Sequence, residues 1–200
     1  MRYVASVAAL LGLAACGGGG GSLGGGGFAT VATEYNTLFP GGVIITSAPD
    51  NTGNPTYEGV MLVASDLDPA DGTSASGYLG TVEITMNFAT DEFSGTGSSF
   101  YDTDLDTTTG APIGVNTGPN PDGTIVSSGV TFVDNSATAA RFYPTFDGII
   151  DGKPLGGTGV GLFRGPSGQQ ITIFEEDPDC DVICDFTFDG LPADVVIIAD

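Results

Sequence analysis

The sequence predicts an all-β protein: a single antiparallel β-barrel of about eight strands that follows a flexible glycine-rich tether. The 200 residues include 33 glycines together with many Thr, Ser and Asp, a composition typical of turn-rich β proteins. One segment alternates strictly between apolar and polar residues, and no segment shows a convincing helical repeat, so almost no helix is expected. Apolar residues make up 40% of the chain, which is enough for a packed core.

Residues 1–15 are interpreted as a signal peptide. A short basic start precedes an apolar run over residues 4–15, which is too short for an ordinary membrane-spanning helix but has the length of a signal-peptide core. The sequence Leu13-Ala14-Ala15-Cys16 resembles the lipobox of bacterial lipoproteins. In that family the chain is cut before the cysteine, which then carries diacylglycerol and an acylated amine. The resemblance implies that Cys16 is a lipid anchor; an ordinary signal peptide with a chance cysteine is the alternative.

Residues 16–27 form the predicted anchor and tether. After Cys16 the sequence reads GGGGGSLGGGG, and such glycine chains behave as flexible coil with a reach of roughly 20 Å. A phosphate-binding loop is excluded because no strand precedes the glycines and no Lys-Ser/Thr follows them. By the lipoprotein resemblance, Gly17 rather than Asp after the cysteine favours the outer membrane, where several acyl chains hold a protein firmly.

Residues 28–200 form the predicted barrel domain, and its clearest strand is residues 80–89. Val82, Ile84, Met86 and Phe88 lie on one face of this strand, and polar residues lie on the other. A turn at 89–92 leads to a partner strand at 93–101. Further strands are predicted at 42–47, 56–65, 124–133, 137–143, 158–163, 169–174, 185–188 and 194–199.

Clusters rich in Pro, Gly, Asn and Asp separate the predicted strands and supply the turns. A single apolar face implies one sheet that closes around one interior, which also removes exposed sheet edges. Glycines inside apolar runs, such as Gly80 and Gly161, are expected where a strand coils sharply or another group approaches closely. A membrane-spanning barrel has the same alternation and is the alternative architecture.

Two segments resemble the barrel domain of transferrin-binding protein B. Residues 80–88, the acidic turn and residues 93–97 are similar to a hairpin of that barrel, and Gly-Leu-Phe-Arg-Gly-Pro at 161–166 is similar to its Gly-x-Phe-(aromatic)-Gly-Pro motif. Arg164 stands where that family usually has an aromatic residue. The resemblance implies a surface lipoprotein with one barrel after a glycine-rich tether, which binds its partner non-enzymatically. No ligand-contact motif of the family matches a position in this sequence.

Two cysteines follow Cys16, and we predict that Cys180 and Cys184 form a disulfide. Outside the cytosol such cysteines are oxidised. Four residues along a strand separate Cα atoms by roughly 13 Å, whereas a disulfide needs about 4.4–6.8 Å. Residues 180–184 must therefore bend back. Two free thiols or a thiolate metal site are the alternatives, although a closed metal site needs more ligands than two cysteines.

The acidic residues suggest a candidate calcium site. Asp102, Asp104 and Asp106 recur at every second position and precede Gly110, as in many calcium loops. The EF-hand spacing is incomplete because residue 113 is Ile rather than Glu. Further acidic clusters lie at 66–71 and 175–181. The alternative is that all three clusters are solvated loops of a protein whose net charge is −21.

Composition excludes several function classes. Four basic residues against 25 acidic ones make binding to nucleic acid phosphates implausible, and the absence of His removes His-based catalysis and metal ligation. Lys153 is the sole lysine, and the neighbouring Asp151 is expected to keep it protonated rather than nucleophilic. Paired carboxylates could in principle cleave glycosides, but 25 acids produce chance pairs.

We therefore predict a non-enzymatic lipoprotein of the outer membrane, displayed at the cell surface. It is expected to be held on the membrane by its N-terminal lipid and to bind an unknown protein or solute through its barrel loops, without nucleic acid and without a required cofactor. The alternative is a structural acidic envelope lipoprotein that binds divalent cations and relieves its own charge repulsion.

Overall fold

A computed structural model describes the chain at residues 27–38, 53–64, 75–90, 92–106, 110–120, 124–128, 132–135, 140–165, 168–174 and 185–200. The predicted signal peptide, Cys16, most of the tether and the predicted strand at 42–47 lie outside these residues.

The described residues contain one helix and fourteen strands. In chain order these are α1 (Phe28–Leu38), β1 (Thr56–Ala64), β2 (Ala75–Asn87), β3 (Glu92–Leu105), β4 (Pro112–Asn120), β5 (Thr124–Ser128), β6 (Phe132–Asn135), β7 (Ala140–Phe142), β8 (Thr145–Ile150), β9 (Lys153–Thr158), β10 (Val160–Arg164), β11 (Gln170–Phe174), β12 (Asp185–Phe188), β13 (Leu191–Pro192) and β14 (Asp194–Ala199).

The strands pair in the order β13-β12-β9-β8-β5-β3-β2-β1-β14-β11-β10-β7-β6, and β4 pairs with β3 beside this path. Every pairing is antiparallel. The first and last strands, β1 and β14, are neighbours, with Gly59 opposite Ala199 and Ala64 opposite Asp194. The prediction of an antiparallel all-β fold is confirmed. Closure into a barrel stays a prediction, because the strand order begins at β13 and ends at β6 and these two described strands do not pair with each other.

One long hairpin spans residues 140–164. Thr145 of β8 lies opposite Thr158 of β9, and Phe142 of β7 lies opposite Gly161 of β10. Between these two pairings the Gly159 N–H donates to the Pro144 carbonyl at 2.9 Å. Strands β7 and β8 are therefore two parts of one strand that is interrupted at Pro144, and β9 and β10 are two parts of its partner.

The main core lies on one face of the ladder and draws residues from nearly every strand. Its largest fully buried side chains include Phe100, Phe142, Phe146, Phe163 and Phe186. Rings from strands that are not neighbours in the ladder meet there: the Phe93 centroid of β3 lies 5.8 Å from that of Phe142 on β7 and 5.9 Å from that of Phe146 on β8. The sheet therefore curls around this core.

Two glycines leave room for core rings. A Cβ atom at Gly161 would lie 2.2 Å from Cζ of Phe142, and a Cβ atom at Gly80 would lie 2.5 Å from Cδ1 of Phe100. Real side chains do not approach so closely, so only glycine permits these rings to come this near to the neighbouring strand. This close approach is one of the two roles predicted for glycines in the strands.

The prediction of almost no helix is wrong at α1, which packs on the outer face of β1, β2 and β3. Its buried residues are Val31, Tyr35 and Leu38, and the Phe28 ring meets Tyr101 edge-on with a centroid distance of 5.8 Å. These four residues repeat every three or four positions, which is a helical stripe. Three threonines and a valine lower the intrinsic helix propensity of this segment. Tertiary packing stabilises the helix, because the outer face of these strands is itself apolar; the buried residues there are Val60, Leu62, Ala64, Leu79, Tyr101 and Leu105.

Candidate functional site

A polar cluster lies at the end of the sheet where β1 and β3 finish and β2 begins. It joins Tyr78 of β2, Asp151 of the β8–β9 turn and Lys153 of β9. The Tyr78 hydroxyl donates to Oδ2 of Asp151 at 3.0 Å, and Nζ of Lys153 donates to the Tyr78 hydroxyl at 3.3 Å. Tyr78 therefore links the only lysine of the chain to a carboxylate, across strands that are far apart in sequence.

Two aromatic rings complete this cluster. Tyr78 and Phe188 pack edge-to-face with centroids 5.5 Å apart. The ammonium of Lys153 lies 5.5 Å from the centroid of Tyr78 and 5.8 Å from that of Phe188, within the range of cation–π attraction. We name Tyr78, Asp151, Lys153 and Phe188 the rim cluster.

Electrostatics in the rim cluster keep Lys153 charged. The hydrogen bond to Tyr78 is the largest influence that raises the pKa of Lys153, and the charges of Asp151 and Asp189 raise it further against partial desolvation. The direction agrees with the prediction that a neighbouring acid keeps this lysine protonated. Burial raises the pKa of Tyr78, and Asp151 adds to that effect while Lys153 opposes it. The phenol is therefore a neutral donor at physiological pH.

Two Asp-Gly turns shape the edge of the rim cluster. Asp151 and Gly152 have φ angles of 53° and 73°, and Asp189 and Gly190 have φ angles of 54° and 79°. Two successive positive φ values are the signature of type I′ hairpin turns, which Asp-Gly pairs favour. The turns are adjacent because the Asp189 N–H donates to the Pro154 carbonyl at 2.8 Å. The Asp189-Gly190 pair lies between Phe188 and Leu191, and an Asp-Gly pair between apolar residues was an available sequence signal for this hairpin.

The candidate calcium ligands lie beside the rim cluster. Asp102 and Asp104 belong to β3, where Asp102 lies opposite Tyr78, and Asp106 directly follows that strand. Alternate residues of a strand share one face but span roughly 7 Å per pair. A calcium ion contacts oxygens at about 2.3–2.6 Å, so it reaches two neighbouring carboxylates of this row more readily than all three. Among the described residues no group of three potential metal ligands comes together. The calcium site stays a prediction.

The predicted cysteine sites lie outside the described residues, as do the acidic clusters at 66–71 and 175–181. The ends of the segment that holds Cys180 and Cys184 are described. Phe174 lies opposite Val160 and Asp185 lies opposite Thr158, so these ends occupy neighbouring positions along one partner strand. The chain therefore leaves the sheet after Phe174 and returns to it at Asp185, two positions further along the same partner strand.

No protein-family model, no curated protein and no solved structure matches this chain. The described part of the chain contains no helix that is long and apolar enough to span a membrane.

Proposed function

We propose that this chain is a lipid-anchored lipoprotein of the outer membrane that binds a protein or solute through the loops of an eight-stranded barrel, without catalysing a reaction. The observation that carries this proposal is the grouping of the rim cluster with Asp102 and Asp104 of β3 at one end of a curled sheet whose core is filled by side chains. A filled interior leaves the ends and edges of the barrel for binding.

Closure of the barrel is supported by short strands that follow one another end to end. Each such series pairs like one longer strand, and we call it a line. The β4–β6 segments together pair with β3 on one side and with the 140–150 strand on the other. Strands β11 and β12 both pair with the 153–164 strand, and β13 and β14 continue one another along that next line. Eight lines result, each beside the next along the chain, and the pairing of β14 with β1 joins the last to the first. We propose an up-and-down barrel of these eight lines.

The proposed binding end is the one that holds the rim cluster. Both Asp-Gly turns lie there, and so do the described strand ends that flank the β1–β2 and β3–β4 connections, because Ala64 is opposite Gly77 and Leu105 is opposite both Ala75 and Pro112. These connections carry acidic residues almost exclusively as their charged groups. Such an end attracts a cationic or hydrogen-bonding partner and repels nucleic acid phosphates.

The anchor and the disulfide are part of the same proposal. The lipobox resemblance at residues 13–16 supports acylation of Cys16, and the eleven-residue glycine-rich sequence after it supports display of the barrel at a distance from the lipid. An oxidising location outside the cytosol favours a bond between Cys180 and Cys184. The adjacent ends of the 175–184 segment, at Phe174 and Asp185, are compatible with a loop that turns back on itself.

Mass spectrometry and surface labelling test the proposal. We expect the mature chain to begin at an acylated Cys16, and we expect a Cys16→Ser variant to lose both the lipid and the labelling of intact cells. An intact, unmodified N-terminus on the wild-type chain would overturn the anchor. Capture on immobilised full chain, with and without calcium, tests binding. A specific partner supports the proposal, whereas the absence of any partner favours the structural envelope protein instead.

A further inference from the structure

Strand β4 is an edge of the sheet. In the described residues it pairs with β3 alone, and no other described strand uses the backbone N–H and C=O groups of its other edge. On its paired side the register with β3 shifts twice, between Tyr101 and Thr103 and between Asp104 and Leu105, where β4 carries extra residues. The Thr103 hydroxyl donates to the Gly114 carbonyl, and the Asp106 N–H donates to the Ala111 carbonyl at 2.8 Å. Pro112 and Pro119 cannot donate hydrogen bonds, so the edge available to another strand spans residues 113–118.

This edge carries exposed apolar side chains. Ile113 is 63% exposed and Val115 is 46% exposed. Both are β-branched residues, which pack well beside an extended chain. Ile149 is similarly exposed, at 52%, but it lies on β8, which is paired on both sides with β5 and β9. Leu191 is 60% exposed and lies on β13, which also pairs on one side only among the described residues but has just two residues. Strand β4 therefore offers the longer open edge with exposed apolar side chains.

The acidic charge around β4 indicates which kind of partner strand could pair with its open edge. Asp104 lies opposite Gly114 on the neighbouring strand, Asp102 precedes it on the same face of β3, and the net charge of the chain is −21. A basic segment is attracted to this field, whereas a second copy of this acidic chain is repelled by it. Main-chain hydrogen bonds would supply affinity, and alternate side chains of the incoming strand would supply specificity.

We propose that the 113–118 edge of β4 docks an extended, basic segment of a partner protein, which adds a strand to the sheet. This inference rests on the proposed function, since it names the surface and the chemistry of the partner that the displayed barrel binds.

The test uses the full chain in detergent and a short synthetic peptide that alternates Lys and Val over about ten residues, long enough to cover the edge. Binding is followed by fluorescence anisotropy, and backbone protection by hydrogen exchange. We expect the peptide to slow exchange of the 113–118 amides about tenfold or more. We expect a peptide that alternates Glu and Val to bind about tenfold more weakly or worse, because its charge has the wrong sign.

Two variants with the same change in charge distinguish binding at the β4 edge from a general attraction between the basic peptide and the acidic protein. Val115→Lys places a like charge at the docking edge and should weaken the Lys-Val peptide about tenfold. Ile149→Lys makes the same change on a strand with no open edge and should alter the affinity by less than about twofold. Circular dichroism of both variants verifies that the sheet is retained; if Val115→Lys does not fold, Val115→Thr with the exchange measurement takes its place.

Absence of added protection at 113–118, or equal losses for the two lysine variants, would overturn the docking edge while leaving the results of acylation and surface labelling untouched. Concentration-dependent sedimentation of the chain alone, with protection of the same amides, would overturn the choice of partner in favour of a second copy.

Discussion

At the scale of single residues, the glycines beneath aromatic rings decide whether the core can form. A methyl group at Gly161 would lie 2.2 Å from the Phe142 ring, whereas a methyl group at Gly156 would meet Oδ1 of Asp147 at 3.4 Å, an ordinary contact. We expect Gly161→Ala to lower the free energy of unfolding by about 1–3 kcal/mol because it overpacks the core. Gly156→Ala should change it by less than about 0.5 kcal/mol. Urea denaturation measures both, and equal losses would contradict this account of the packing.

Tyr57 makes the stability of the protein depend on alkaline pH. Its hydroxyl donates to the Gly168 carbonyl at 2.9 Å in a buried setting, and burial raises the pKa of Tyr57 to about 12 from an ordinary value of 10.0. The folded state then holds the proton more tightly than the unfolded state, so this contribution is complete below pH 10 and is lost as the pH rises toward 12.

Replacement of Tyr57 tests this dependence. Tyr57→Phe should cost about 1 kcal/mol at neutral pH, because one buried hydrogen bond is lost. Between pH 10 and 12 the urea midpoint of the variant should fall less steeply than that of the wild-type chain. Parallel curves for the two proteins would show that other groups govern the alkaline transition.

Replacing the two charged members of the rim cluster should shift the pKa of Tyr78 in opposite directions. Lys153 lowers the pKa of Tyr78 and Asp151 raises it. Lys153→Met, which keeps an apolar chain against the rings of Tyr78 and Phe188, should therefore move the Tyr78 titration to higher pH. Asp151→Asn should move it to lower pH. The ring carbon shifts of Tyr78 in NMR titrations report both, and movement in the same direction for both variants would refute the hydrogen-bonded arrangement.

At the scale of elements, α1 depends on the sheet for its stability. Tyr35 is almost fully buried against the outer face of the strands, whereas the next residue, Asn36, is exposed. Tyr35→Ala should cost about 3 kcal/mol and release the helix, so that its amides exchange faster than those of β1. Asn36→Ala should cost less than about 0.5 kcal/mol. If Tyr35→Ala leaves amide hydrogen exchange in α1 unchanged, interactions within the helix, and not packing on the sheet, stabilise α1.

Periodicity located the strands that alternate and missed those that do not. The bounds of β12 and β14 agree with the predicted strands at 185–188 and 194–199, and the predicted hairpin at 80–101 is extended at both ends. Strands β4 and β8 were not predicted because their prolines, glycines and an Asp-Gly pair read as turns. The apolar run over residues 60–64 is buried on both faces, which is the pattern of a covered strand and was the available signal for a helix outside the sheet.

The rim cluster could not be predicted from local patterns. Tyr78, Lys153 and Phe188 are separated by long stretches of chain, and only the strand order brings them to one end. The Asp102–Asp106 row was visible as a motif because its spacing is local. Aspartates at every second position are typical of calcium-binding loops, so the spacing suggested a calcium site if the segment was a loop. In the structure Asp102 and Asp104 instead lie within strand β3.

At the scale of the whole molecule, a net charge of −21 works against a compact fold. Self-repulsion acts between all acidic groups and is screened as the ionic strength rises. The Debye length falls from about 30 Å at 0.01 M salt to about 3 Å at 1 M. We therefore expect the urea midpoint of the full chain to rise with sodium chloride, and a midpoint that is independent of salt would show that the charges lie too far apart to matter.

Calcium chloride at matched ionic strength separates screening from a dedicated site. The three carboxylates of Asp102, Asp104 and Asp106 are spread along roughly 13 Å of extended chain, a poor match for one ion with oxygens at about 2.3–2.6 Å. We expect calcium to raise the midpoint no more than sodium does at the same ionic strength. A larger rise with calcium that Asp104→Asn abolishes, while Asp147→Asn on the exposed face of β8 leaves it intact, would instead establish a calcium site on β3. That result would connect the acidic end of the sheet to divalent cations and would favour the structural envelope protein over the binding protein.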